Sequence, residues 1–282
     1  MTPPLLSDPR FFQVAVLAGL VTGGALLVDI GIRWQHAAII LLTAEAMQFA
    51  GSRVTGLRHF DPRSALITAL SLTMLLRTDT AWLAAAAAAI AVGSKFVLRV
   101  RGKHLFNPAN AGIVGTMWLA DGAWISTGQW GSGVLVALLL ACLGLIVLSR
   151  ARRAETTLAF LAVFAGLLVG RALWLGDPLA IPLHHLQNGA LLIFAFFMIS
   201  DPKTTPDAPA GRWLYGALVA AVAFAIQFIC YQPYGPVLAL AGSAPLVPLI
   251  DRVLPGSRYR WHAPAPTPLP SRTTGAPSCD FS

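Results

Sequence analysis

The sequence predicts an all-α, polytopic integral membrane protein of about ten transmembrane helices, arranged as two inverted five-helix repeats. Three observations carry that prediction. First, 56% of the 282 residues are hydrophobic and only 11% are charged, against about 25% charged in an ordinary soluble domain. Second, runs such as Phe11–Leu27, Trp82–Val97, Gly133–Leu148, Leu158–Trp174 and Leu214–Ile229 are almost free of ionisable groups. They approach the roughly 20 residues a helix needs to cross a bilayer core of about 30 Å. Third, the loops between the runs alternate between basic and mixed charge.

In chain order the expected segments are about 11–28, 35–51, 64–77, 81–98, 108–120, 133–149, 157–175, 186–200, 213–231 and 235–253, with the third, fifth and eighth short. The first run is followed by Val28-Asp29-Ile30-Gly31 rather than a small-x-small cleavage pattern, so it is expected to stay as a membrane helix. Every second loop is basic. Arg53, Arg58 and Arg63 follow the second segment, and Arg99, Arg101 and Lys103 follow the fourth. Arg150, Arg152 and Arg153 follow the sixth, Lys203 and Arg212 the eighth, and Arg252, Arg258 and Arg260 the tenth. The intervening loops hold Asp29 with Arg33, Arg77 with Asp79, Asp121, and Asp177. By the positive-inside rule both termini are expected in the cytoplasm, with the chain integral to the inner membrane of a bacterium.

The halves resemble one another. Ala65–Asp79 (ALITALSLTMLLRTD) is similar to Ala190–Asp201 (ALLIFAFFMISD). A long apolar run follows each, then a proline-containing entry to a last segment, HLFNPANAG in one half and CYQPYGPVLALAG in the other. Five segments per half is an odd number, which inverts one half relative to the other and suggests a site between them. The expected domain is therefore 1–254, with repeats of about 11–131 and 132–254. Residues 255–282, rich in Pro, Ser and Thr, are expected to be a disordered cytoplasmic tail, with Tyr259 and Trp261 at the interface.

Some functions are excluded. The net charge of +8 is spread over short loops rather than clustered on one soluble face, so nucleic acid is not an expected partner. Cys142, Cys230 and Cys279 are far apart and form no CxxC pattern, which gives disulfides, zinc and iron–sulfur centres no support.

The most informative stretch is Arg101–Gly112, RGKHLFNPANAG. Pro108 suits the first turn of a helix, and Asn107 before it suits an N-cap. Asn110 lies one turn further, on the same face as Asn107. Two carboxamides facing lipid would be costly, so they should face protein, water or a ligand. The counterpart is Ser200-Asp201-Pro202-Lys203-Thr204-Thr205-Pro206, on the same expected side. Together the two loops offer amide, carboxylate, hydroxyl and ammonium groups to a heterocycle that carries imide and hydroxyl groups.

SALITALSLTMLL, GSKFVLRVRGKHLFNPANAG, FMISDPKTTPDAPAGRWLYG and VPLID resemble the flavin-bearing membrane protein shared by two respiratory complexes. These are the NqrB component of the sodium-pumping NADH:quinone reductase and the RnfD component of the Rnf electron transport complex. The likeness runs from about residue 60 to 253. It implies ten helices in two inverted halves and riboflavin or FMN held non-covalently near the asparagines. Carried onto this chain, that places the flavin at Asn107 and Asn110; the chemistry of the two loops adds Lys103 and Phe106 from one and Asp201, Lys203 and Thr204 from the other as candidate cofactor-binding residues. The family also esterifies an FMN to a threonine in a Ser-Gly-Ala-Thr motif opposite the cytoplasm. Here that loop reads DGAWISTGQWGSG; Thr127 is present in a different context, and no covalent FMN is expected. Trp124 and Trp130 of the loop read as interfacial anchors.

Glu45, with Gln48 one turn on, is an intramembrane carboxylate and with Asp251 a candidate for ion coupling. Lys95 is expected to snorkel to the surface in a structural role. Arg171 and Asp177 are expected to frame the outer end of the seventh helix. No metal site is expected, although His36, His184 and His185 at one depth keep haem ligation open, with at most one of the adjacent pair able to ligate.

The function that follows is a membrane electron-transfer subunit that relays electrons through a flavin to or from a partner redox protein or quinone. It would be one component of an oxidoreductase, since the chain has no nicotinamide-binding glycine fingerprint and no cluster ligands. The alternatives are a cation-coupled secondary transporter on the same fold, or a ligand-free scaffold within a membrane complex.

Overall fold

The computed structural model of the protein describes residues 8–56, 60–151 and 153–259. The first half contains α1 (Pro9–Gly23, continued by a π-helical turn Gly24–Val28), α2 (Trp34–Val54), α3 (Arg63–Leu75), β1 (Leu76–Thr78) and α4 (Ala81–Val97). It continues with β2 (Arg99–Val100), β3 (Lys103–His104), α5 (Pro108–Leu119) and β4 (Ala123–Ile125). The second half contains α6 (Val134–Ala151), α7 (Glu155–Leu175), α8 (Ala180–Leu186) and α9 (Gly189–Ile193, continued by a π-helical turn Phe194–Met198). After it come α10 (Pro209–Phe228), α11 (Gly235–Ser243) and, beyond a 3₁₀ turn Ala244–Leu246, α12 (Val247–Val253).

Helix forms at each of the ten expected segments, so the protein is all-α and polytopic. Among the described residues, five helices are long and apolar enough to cross a membrane, or six if the pair α8 and α9, bent by 49°, counts as one broken span. The count of ten spans is thus not reproduced by length and apolarity. α2 is long enough at 21 residues but carries Gln35, His36, Glu45, Gln48 and Arg53. α3 and α5, of 13 and 12 residues, are too short; α3 is mostly buried, and α5 buries one face and exposes Trp118 and Leu119 at its end. α3 buries Thr68, Ser71 and Thr73 along with its apolar residues, and protein rather than lipid satisfies such groups.

Helix starts follow from capping chemistry. Asp8 Oδ1 accepts the Arg10 N–H at 3.0 Å ahead of α1, Asn107 Oδ1 accepts that of Asn110 at 3.1 Å ahead of α5, and Asn188 Oδ1 accepts that of Leu191 at 3.2 Å ahead of α9. Proline occupies the first turn of α1, α5, α10 and α11. The two-residue turn between β2 and β3 uses Arg101 and Gly102, both at positive φ (53° and 77°), as a tight hairpin of this hand requires.

The two halves repeat one packing scheme. α1 packs on α3, α2 on α4 and α4 on α5; α6 packs on α9, α7 on α10 and α10 on α11. The last pair closes the same way in each half. A Cβ on Gly112 of α5 would lie 2.6 Å from the Ala87 carbonyl of α4, and one on Gly235 of α11 would lie 2.6 Å from the Ala223 carbonyl of α10. Small residues let such backbones touch.

The loops sort into two sets, as their charge predicts. On one face Arg10 and Arg63 pair with Asp8 and Asp61. There too Lys103 bonds Asp207 and Asp251, Arg153 bonds the Pro206 carbonyl at 3.1 Å, and Arg212 pairs with Glu155 at 2.9 Å. This is the basic face. On the other, Arg33 bonds the Thr78 and Asp79 carbonyls, β1 pairs antiparallel with β4, Ser132 meets His184, and Asn188 bonds the Thr127 carbonyl. α5 starts at the basic face and α11 at the opposite one, so the repeat is inverted.

Arg171 and Asp177 pair at 3.7 Å at the end of α7, as expected. Trp130 departs from its expected interfacial role. It is 2% exposed, and its indole N–H donates to the Met74 carbonyl at 3.2 Å, capping the end of α3. The first residues of the expected tail contact the protein. Arg258 donates to the Arg101 carbonyl at 2.8 Å, Lys203 donates to that of Tyr259 at 3.3 Å, and the Arg153 guanidinium lies 5.2 Å from the Tyr259 ring centroid. Pro255–Tyr259 therefore lie against the basic face, while Trp261 and the rest of the tail fall outside the described residues.

Candidate functional site

A cavity of about 120 Å³ opens toward the basic face where the two halves meet. Arg10 and Gln13 of α1, Ser64, Thr68 and Ser71 of α3, and Lys95 of α4 line one side. Asn107 and Pro108 at the start of α5 line another, and Phe197, Asp201 and Lys203 come from the second half.

Asn107 uses both ends of its carboxamide. Its oxygen caps α5, and its nitrogen donates to the Met198 carbonyl at 3.1 Å and to Asp201 Oδ2 at 3.4 Å. The capping role and the site role belong to one side chain. The Met198 carbonyl is available because the π-helical turn Phe194–Met198 leaves carbonyls for side chains to cap: Thr157 takes that of Ala195 at 2.7 Å and Ser200 that of Phe196 at 2.6 Å.

Asp201 begins a tight turn in which its Oδ1 accepts the Lys203 N–H at 3.0 Å, while the Thr204 and Thr205 N–H groups reach its carbonyl, each at 3.2 Å. Burial lifts the Asp201 carboxyl above the usual carboxylate range, against the Lys203 N–H bond and the charges of Lys203 and Lys95. His104 donates from Nδ1 to the Lys95 carbonyl at 3.1 Å. Burial, with the charges of Arg99, Lys95 and Lys203, pushes its pKa down to about 4, so the ring is neutral at pH 7.

The expected cofactor residues divide. Asn107, Asp201 and Lys203 are on the cavity wall. Thr204 supports the Asp201 turn, with its hydroxyl donating to the Asp201 carbonyl at 3.3 Å. Phe106 is half-buried beside the wall. Asn110 stands behind it, wholly buried, with its nitrogen donating to the Val237 carbonyl of α11 at 2.8 Å and its oxygen unpartnered among the described residues. Lys103 lines a neighbouring cleft and bridges Asp251 at 2.8 Å and Asp207 at 3.1 Å. Asp251 also accepts the Asp207 N–H at 2.8 Å, so its carboxylate is fully engaged. Glu45 differs: both its oxygens are buried without a hydrogen-bond partner among the described residues.

His36 meets Thr78 Oγ1 at 3.0 Å, His184 meets Ser132 Oγ at 3.0 Å, and His185 packs edge-on against Phe228 at 5.7 Å. Among the described residues no group of three or more His, Cys, Asp or Glu could hold a metal ion. Sequence reasoning missed Lys95, which is 4% exposed and does not snorkel. It also missed the stripe Ser64, Thr68 and Ser71. That stripe was visible as polar residues at helical spacing on an otherwise apolar segment.

The second half carries an inverted counterpart, a cavity of about 240 Å³ at the opposite face. Tyr234 and Pro236 at the start of α11 and Gln227 near the end of α10 line it. Thr127, His185 and Asn188 also line it.

The NQR2, RnfD, RnfE family model matches residues 116–260, just over half of the chain. That stretch includes Thr127 and the Asp201 turn, and begins after the asparagine loop. The D component of the ion-translocating oxidoreductase complex of Escherichia coli O6:H1 is 32% identical over 149 residues, 51% of this chain and 37% of that protein. The protein of the same name from Escherichia coli SMS-3-5 is 31% identical over 140 residues, 49% of this chain and 35% of that protein. The matched part of the chain thus spans little more than a third of the length of these curated relatives.

Proposed function

The chain belongs to the NQR2, RnfD, RnfE family, and from that premise we propose that it is a flavin-binding membrane subunit of an ion-translocating oxidoreductase complex. It holds riboflavin or FMN non-covalently at the basic face, which the positive-inside rule makes cytoplasmic, and passes electrons to or from a partner redox protein or quinone.

The observation that carries this reading is the meeting of Asn107 from one half with Asp201 from the other, 3.4 Å apart on one cavity wall. The polar lining fits a flavin in kind. Lys203 offers an ammonium to imide or ribityl oxygens, the Thr68 and Ser71 hydroxyls, which donate to helix carbonyls, keep lone pairs for ribityl hydroxyls, and Phe197 offers an aromatic surface. The cavity, at about 120 Å³, is smaller than the ~300 Å³ at which small-molecule sites usually begin. The long side chains of Gln13 and Lys203 must therefore turn outward to admit the whole cofactor. A bound flavin supplies the redox chemistry; the chain supplies position, charge and exclusion of water. Asn107 orients the ligand from the end of α5, Asp201 and Lys203 close the site from the other half, and Thr204 holds the turn that carries them.

The test is flavin extraction and mass spectrometry on the purified protein, with Asn107→Ala beside it. The expected result is a yellow protein that releases its flavin on denaturation, shows no fluorescent band on a denaturing gel, and loses most of the flavin in the variant. A colourless wild-type protein, or a variant with undiminished flavin, rejects the reading. The partnerless carboxylate of Glu45 favours one competing reading, a cation-coupled transporter on the same fold. That reading requires a colourless protein and proton- or sodium-driven uptake in vesicles, abolished in Glu45→Gln.

A further inference from the structure

Lys95 is 4% exposed on the alanine-rich helix α4. A buried ammonium is ordinarily found against a carboxylate. This one donates to three neutral oxygens instead: Gln48 Oε1 at 3.3 Å, the Ser64 carbonyl at 3.1 Å and Ser64 Oγ at 3.0 Å. Those bonds fix the position of the ammonium and satisfy its hydrogens. They do not cancel its charge.

The other charges around the cavity leave that charge in surplus. Arg10 is engaged by Asp8 and Asp61. Lys203 donates to the Tyr259 carbonyl and lies beside Asp201, its neighbour in the same turn. His104 is neutral at pH 7. Asp201 is the one carboxylate among the residues on the wall. Asp201 acts most strongly on Lys95, followed by Glu45 of α2 and Asp61 ahead of α3, and none of the three forms an ion pair with it among the described residues. At a position only 4% exposed a unit charge acts over several ångströms with reduced screening. Such a site favours a ligand that carries, or acquires, negative charge.

We infer that Lys95 is the fixed positive charge that stabilises the anionic reduced form of the flavin, with Gln48 and Ser64 serving to hold its ammonium in place. This rests on the flavin reading of the cavity. Reduction at such a site takes two electrons, from the partner redox protein, and one proton, and leaves the ring with one negative charge. Without the ammonium the reduced ring keeps its second proton up to a higher pH. Lys95 is thus a positioning residue for charge and sets the potential rather than the affinity. A phosphate is the other anion an ammonium here would attract, and the two sources give different results.

The experiment is a redox titration of the bound flavin at several pH values in wild type, Lys95→Met and Lys95→Arg, with riboflavin and FMN each reconstituted. The inference predicts a more negative midpoint in Lys95→Met with either flavin. It also predicts a rise from one to two protons taken up per electron pair, and restoration of both by Lys95→Arg. Should Lys95→Met fail to assemble, Lys95→Gln removes the charge and keeps a polar end. An unchanged midpoint and proton count in a charge-removed variant with full flavin content overturns the inference. So does an effect confined to the preference for FMN over riboflavin, which would assign the charge to a phosphate. A colourless wild-type protein is a separate outcome, seen before any variant is made: it removes the flavin reading, and this inference with it.

Discussion

The carboxamide nitrogen of Asn110, on α5, lies 2.8 Å from the carbonyl oxygen of Val237, on α11, and joins the last helix of the first half to the helix that follows α10 in the second. The bond is wholly buried at Asn110. It separates two asparagines that look equivalent in the sequence: Asn107 faces the cavity, and Asn110 faces the seam between the halves.

Asn110→Ala is therefore expected to act on stability. It strips a buried carbonyl of its donor, which costs about 1–3 kcal/mol in water-soluble proteins and toward the lower end within membranes. Thermal unfolding in detergent should show the loss, and flavin content at low temperature should stay near that of the wild type. Asn107→Ala should lose the flavin as well as stability, since the α5 cap goes together with the bonds to the Met198 carbonyl and Asp201, so flavin content is what separates the two variants. If the Asn110 variant loses flavin at unchanged stability, the two roles have been assigned the wrong way round.

Gly112 and Gly235 test the repeated closure of the last helix pair. Alanine at either position drives a Cβ to 2.6 Å from a backbone carbonyl, which cannot swing aside. Overpacking of this kind costs about 1–3 kcal/mol. Gly166→Ala on α7 is the control, since a Cβ there meets nothing within 4 Å. The expected order is a lowered melting temperature for Gly112→Ala and Gly235→Ala and no loss for Gly166→Ala. Equal tolerance at all of these positions would mean that α4–α5 and α10–α11 do not approach as described.

The membrane class and the two-faced arrangement of loops were legible because each rests on a local signal. Apolar runs report burial in lipid, and the alternation from Arg63 to Asp79 to Lys103 reports sidedness without knowledge of the packing. The caps at Asn107 and Pro108 were equally local. What escaped needed tertiary partners. Lys95 reads as a snorkelling residue until Gln48 and Ser64 are found around it. Asp251 reads as a candidate for ion coupling until the β2–β3 hairpin delivers Lys103 from 148 residues away in sequence. The break between α8 and α9 falls in Leu186–Gly189, where Asn188 caps a new helix, and no proline or charge marks it. The short α3 and α5 look like spans by composition because interior helices and lipid-facing helices draw on the same apolar residues.

The Lys103 bridge yields a direct contest between two roles for Asp251. The side chains of Lys103, Asp207 and Asp251 are only 11%, 12% and 16% exposed, and removing one member of a buried ionic group costs about 3–5 kcal/mol. Lys103→Met, which leaves two carboxylates facing each other, should destabilise more than Asp251→Asn. Both should lower the melting temperature in detergent. An ion-coupling role for Asp251 demands a different result: Asp251→Asn of normal stability with lost cation movement in vesicles.

Stability should fall with acid in two separate windows. The His104 ring, held neutral to about pH 4 against an ordinary 6.5, takes up a proton later in the folded protein than in the unfolded chain. Its contribution is fully present above pH 6.5 and is lost as the pH falls from there toward 4, with no further loss below. Asp8 and Asp61 act lower down. Burial works to raise both carboxyls, but Arg10 and Arg63, by hydrogen bonds and charge, hold them below the ordinary 3.8. Their contribution is present above that value and disappears as the pH falls through the lower folded values. Melting curves in detergent from pH 8 to pH 3 should show both slopes. His104→Asn, which can still donate toward the Lys95 carbonyl, should flatten the upper window alone. Asp8→Asn should be less stable at neutral pH and should lose part of the lower slope. A His104→Asn protein with an unaltered decline between pH 6.5 and 4 would show that another group titrates there and that the imidazole is not held neutral by its surroundings.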